Sequence, residues 1–100
     1  MSKRRKPHIG SSLDDVLQEE AIYEEVTAMA LKKVLARKFV QAMKAQRVTK
    51  TTLAKRMGTT RAQLDRILDP ENTSMTLMSM VRTAAALGQR LDLDLGARRG

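Results

Sequence analysis

Arg61, Ala62, Gln63, Asp65 and Arg66 fall within six consecutive positions of a 100-residue chain, and at helical spacing they share an outward face. A face of this kind fits the major groove of DNA, which admits one α-helix and presents a distinct donor and acceptor pattern for each base pair. Each arginine has the geometry to donate two hydrogen bonds to guanine O6 and N7. Asp65 has two uses: it accepts from cytosine N4, or it forms an ion pair with Arg61 or Arg66.

Two short helices and a sharp turn must hold that face. Thr49 is placed to accept a backbone N–H at the start of the first helix, which carries Leu53, Ala54 and Met57 on its inner side. Gly58 ends it, because glycine enters the left-handed region at no steric cost. Thr59 or Thr60 caps the second helix, whose inner residues are Leu64, Ile67 and Leu68, and Pro70 stops it near Leu68. The small Ala54 lets the helices meet steeply, and Leu53, Met57, Leu64 and Ile67 wedge them at a fixed angle.

Charge supports a polyanionic partner. Nineteen Lys and Arg against eleven Asp and Glu give a net +8. Eleven of the bases and a single acid, Asp65, lie between Lys32 and Arg66, so this third of the chain carries +10 and contains the helix pair. An architectural helix pair has no reason to concentrate positive charge there. Leu13 to Glu25, in contrast, holds six acids and no base. That stretch is a solvated helix face, a surface for a different partner, or a counterweight packed beside the basic face.

Thr49 to Leu68, followed by a loop and by Thr76 to Gly88, resembles the Cro and phage-repressor type of helix-turn-helix regulator, also called the xenobiotic-response-element family. The resemblance spans about Val34 to Gly88. It implies a repressor fold with base reading by Arg61, Ala62, Asp65 and Arg66 and contacts to the DNA backbone from Thr60 or Gln63. Where that family often has a phosphate-clamping glutamine after the first cap, this chain has Lys50, which keeps the phosphate contact and loses the bracing. Bacterial antitoxins of the HigA type are also similar in arrangement. That likeness implies repression of the chain's own operon and neutralisation of a RelE- or HigB-like ribonuclease toxin, with acidic Leu13 to Glu25 facing the basic toxin. A stand-alone prophage-type repressor is the competing reading.

The expected fold is mainly α: a five-helix repressor-like domain over residues 31–89, an added acidic N-terminal helical extension over 12–30, a disordered basic tail over 1–11 and a strand over 90–96. Ser12 and Asp15 have the shape of a capping box opening a helix from Leu13 to about Glu20. Apolar residues from Ile22 to Met43 recur at three and four positions, extending a second helix to about Gln46. One rod of that combined length would be roughly 50 Å long, so a break near Glu20 to Tyr23 is expected. Arg90 to Leu95 alternates with period two and places Leu91, Leu93 and Leu95 on one face of a strand. With no second strand evident, that segment is expected to pair with its counterpart in a homodimer, centred on Asp92. Two reading helices related by a twofold axis would then meet a palindromic operator in double-stranded DNA.

Little in the chain suggests catalysis. There is no cysteine, and the single histidine, His8, lies in the basic tail. Adjacent acids such as Glu19 and Glu20 point in different directions around a helix, so no metal site, cofactor or enzymatic activity is expected. Tyr23 and Phe39 are the only aromatic residues, too few for the stacking that single-stranded RNA demands. No apolar run is long enough to span a bilayer, and Lys3 to Lys6 lead into Pro7 instead of an apolar core, so neither membrane segment nor signal peptide is expected and the cytoplasm is the expected compartment.

Overall fold

A computed structural model describes residues 13–96, so the basic tail and the Ser12 cap lie outside the described residues. Four helices make up the described fold: α1 (Leu13–Gln46), α2 (Lys50–Met57), α3 (Arg61–Leu68) and α4 (Leu77–Ala86). The class is mainly α, as expected, but two finer expectations fail. There are four helices among the described residues, not five plus an N-terminal addition, and there is no strand.

The expected break near Glu20 to Tyr23 is absent: α1 is one 34-residue helix. Neither Gly nor Pro occurs between Leu13 and Gln46, and the stretch is rich in Glu, Ala, Leu, Lys and Met, which lose little on entering a helix. Length would force a break only if the N-terminal half had to fold back onto the domain. It does not. Burial on α1 begins at Lys32 and continues through Ala36, Phe39 and Met43, spaced by four, three and four. Leu13, Leu17, Ile22 and Val26 each keep more than half of their surface. A helix of that length is about 51 Å at 1.5 Å per residue, which matches the 56 Å long axis of the molecule.

The core gathers where the second half of α1 meets the other helices. Leu53, Leu64, Thr83 and Leu87 are essentially inaccessible, and Phe39, Met43, Ala54, Ile67, Leu68, Met80 and Ala84 are buried with them. Burying a leucine of this kind contributes about 2 kcal/mol, so the four helices are held mainly by this shared apolar contact. The hydroxyl of buried Thr83 donates to the Ser79 carbonyl at 2.8 Å, which removes the cost of placing it there. Gln46 Nε2 donates to the Leu87 carbonyl at 2.7 Å and ties the end of α1 to the end of α4.

Residues 91–96 carry no regular structure. The expected strand over 90–96 is absent because no neighbouring edge among the described residues offers it a ladder of hydrogen bonds. Its three leucines do not share a face toward one environment: Leu91 packs against the core, whereas Leu93 and Leu95 are 72% and 97% exposed. Arg90 Nε sits 3.0 Å from Asp92 Oδ1 within the same segment.

Candidate nucleic-acid interface

Local signals set the two helix starts. Thr49 is extended at φ −83° and ψ 163°, and its hydroxyl oxygen accepts the Thr52 N–H at 3.1 Å. Thr60 repeats the arrangement at φ −87° and ψ 159°, accepting the Gln63 N–H at 3.0 Å. Thr60, not Thr59, is therefore the second cap, and each cap satisfies one amide that the first helical turn leaves without a partner. Between them Gly58 adopts φ +67°, where its N–H donates to Lys55 O at 3.1 Å while Thr59 N–H donates to Ala54 O at 2.9 Å. This pair of bonds closes the helix end and redirects the chain.

Leu53, Ala54, Leu64, Ile67 and Leu68 are buried between the helices, and Met57 packs against them partly covered. That inner set leaves Arg61, Ala62, Gln63, Asp65 and Arg66 exposed together on α3, as the spacing predicts. Thr49, Lys50 and Thr60 are exposed as well. The face is braced from within. Arg66 Nη1 donates to Gln63 Oε1 at 3.2 Å, and Lys50 Nζ lies 3.1 Å from Asp65 Oδ1. Arg61 Nε stands 4.0 Å from the same carboxylate oxygen. Of the two uses open to Asp65, ion pairing is the one seen, and its nearer partner is Lys50 instead of the expected Arg61 or Arg66.

The sequence also hid a residue that positions α3. Lys32, only 5% exposed on α1, donates from Nζ to the carbonyls of Arg66 at 3.2 Å, Asp69 at 2.7 Å and Asn72 at 2.7 Å. An ammonium at a helix C-terminus satisfies carbonyls that the helix cannot, and it meets the negative end of the helix dipole. Burial lowers the pKa of this lysine from the ordinary 10.5, and the neighbouring Asp69 carboxylate opposes that shift. No local pattern marks it, because its acceptors lie 34 to 40 residues away along the chain.

Basic side chains continue beyond α3. One shallow groove runs between α1 and the end of α3, with Lys33, Arg37 and Lys44 beside Leu68 and Pro70. A second continues from Lys44 past Arg47 to Thr49 and Lys50, again over Leu68. Lys33, Arg37, Lys44, Arg47 and Lys50 thus border the same edge of the helix pair. No helix among the described residues is long and apolar enough to cross a membrane. No protein-family model matches the chain, and neither a curated protein nor a solved structure does.

Proposed function

We propose that this chain is a sequence-specific regulator of transcription that places α3 in the major groove of double-stranded DNA and represses from a palindromic operator as a homodimer. The observation that carries the reading is the exposed face of α3, with Arg61 and Arg66 on a helix whose geometry is fixed by two threonine caps and Gly58. The bordering cations supply the sequence-independent attraction to phosphate on which such reading depends. Arg61, Ala62, Asp65 and Arg66 are the base-reading set, while Thr49, Thr60 and Gln63 meet the backbone and Lys50 stands beside it, restrained by Asp65.

Mobility shifts against the DNA upstream of the chain's own reading frame, at several salt concentrations, test this. Binding to that DNA should outlast binding to a scrambled duplex as salt rises, and Arg61→Ala or Arg66→Ala should lower the preference by roughly 1 to 3 kcal/mol. Equal loss on both duplexes defeats the proposal.

The likeness to HigA-type antitoxins extends it to a second partner, a basic ribonuclease toxin that the chain would neutralise. Retention of a small basic protein encoded beside this chain, at fixed stoichiometry through purification, is the outcome that extension requires. A stand-alone repressor retains none.

A further inference from the structure

The unbroken α1 divides into halves of opposite charge. Leu13 to Ala30 holds six acids and no base, and Leu31 to Gln46 holds five bases and no acid. On the face turned away from the core, steps of four and three from Leu13 pass through Leu17, Thr27, Leu31, Val34 and Gln41 and end at Ala45. Glu20, Glu24 and Lys38 fall on the same seam. Burial separates this seam from the core-facing side, for Leu31 and Val34 remain 66% and 48% exposed although their neighbours Lys32 and Ala36 are buried. A seam that mixes apolar positions with acids in one half and a base in the other, on a helix that projects past its own domain, suits packing against a helix of complementary charge.

We infer that α1 pairs with α1 of a second copy of this chain, antiparallel and centred near Met29. Parallel pairing would set acid against acid and base against base. Antiparallel pairing places the acidic half of each helix on the basic half of the other, with Glu20 opposite Lys38 of the second copy and Glu25 opposite Lys33. The same register sets Leu13 opposite Ala45 and Thr27 opposite Leu31, while Leu17 faces Gln41 and Glu24 faces Val34. Such a pair is closed by a twofold axis and leaves no surface for further addition. It stands independently of DNA binding, and it supplies the twofold relation that a palindromic operator would need.

Sedimentation equilibrium on the full chain tests the pairing, with circular dichroism confirming that each variant is helical. The wild type should be a dimer that weakens as salt rises. Glu20→Lys/Glu25→Lys and Lys33→Glu/Lys38→Glu should each raise the dissociation constant by about tenfold or more, since each creates four like-charge contacts per dimer. Mixed at equal concentration, the two variants should recover a heterodimer of wild-type strength, because every contact is then between opposite charges. Leu93→Asp/Leu95→Asp should leave the dimer intact. A monomeric wild type, variants as dimeric as the wild type, a mixture that stays apart, or loss of the dimer in the Leu93/Leu95 variant would each overturn the inference.

Discussion

Lys50 at the start of α2 reaches across the turn to Asp65 on the exposed face of α3, Nζ to Oδ1 at 3.1 Å. Both side chains keep nearly half of their surface, 44% and 49%, so solvent screens the pair and it contributes less than about 0.5 kcal/mol to folding. Its consequence lies in the electrostatics of the face. The carboxylate occupies a cation that would otherwise meet phosphate, and it stands within 4.0 Å of Arg61.

Asp65→Asn should therefore leave thermal stability nearly unchanged while strengthening binding to every duplex. Fluorescence anisotropy at several salt concentrations should show the salt slope steepen by roughly 0.9 as Lys50 becomes free for one more phosphate. The preference for the operator over scrambled DNA should fall only by what Asp65 itself reads, since uniform electrostatic attraction strengthens both duplexes by the same factor. A variant that weakens binding to all sequences alike would mean that Asp65 organises Lys50 instead of restraining it.

Three helix ends in this chain close by the same pair of backbone bonds, and their left-handed positions are Arg47 at φ 57°, Gly58 at 67° and Gly88 at 69°. Only Arg47 carries a side chain there. A left-handed conformation costs a residue with a Cβ about 1 to 2 kcal/mol, and the added backbone freedom of glycine when unfolded costs about 0.5 to 1. Arg47→Gly should thus raise stability by about 0.5 to 1 kcal/mol, a melting temperature a few degrees higher in a domain of this size. Arg47 also borders the basic edge leading to Lys50. The same substitution should reduce the salt slope of DNA binding by up to roughly 0.9, trading affinity for stability.

Gly58 is constrained by conformation alone, for a Cβ built there would meet nothing within 4 Å. Gly58→Ala should cost about 1 to 2 kcal/mol in chemical denaturation, and Gly58→Asn less, because asparagine tolerates the left-handed region better. A loss well beyond that range would point to a clash, which the open space around the position excludes.

What the sequence made legible is what depends on neighbours in the chain. Thr49, Gly58, Thr60 and Pro70 act within four residues of themselves, and the helix pair they delimit emerges with the expected bounds. Compactness is a poor guide to α1, because a helix without Gly or Pro breaks only when packing rewards a break, and the half before Lys32 packs on no other described element. Alternation from Arg90 to Leu95 was equally insufficient, since a strand is a relation between two segments. Lys32 was illegible for the opposite reason: a lysine in a basic run reads as solvated, and only the tertiary fold brings three carbonyls to its ammonium.

Lys32 gives the last prediction. Lys32→Met fills similar volume but leaves the carbonyls of Arg66, Asp69 and Asn72 without their donor, so it should destabilise the fold by about 2 kcal/mol. The dependence on pH distinguishes this from a packing defect. Because burial lowers the pKa of Lys32 from 10.5, the folded chain binds fewer protons there than the unfolded chain in the alkaline range just below 10.5. Stability contributed by this group therefore rises with pH through that window, as the unfolded state gives up the proton that the folded state has already lost. Denaturation of the two proteins in parallel at rising pH should show the gap between wild type and Lys32→Met widening as 10.5 is approached, with the contributions of all other lysines cancelling in the difference. A gap independent of pH would mean that the three carbonyl contacts, which favour the ammonium, offset the burial that disfavours it.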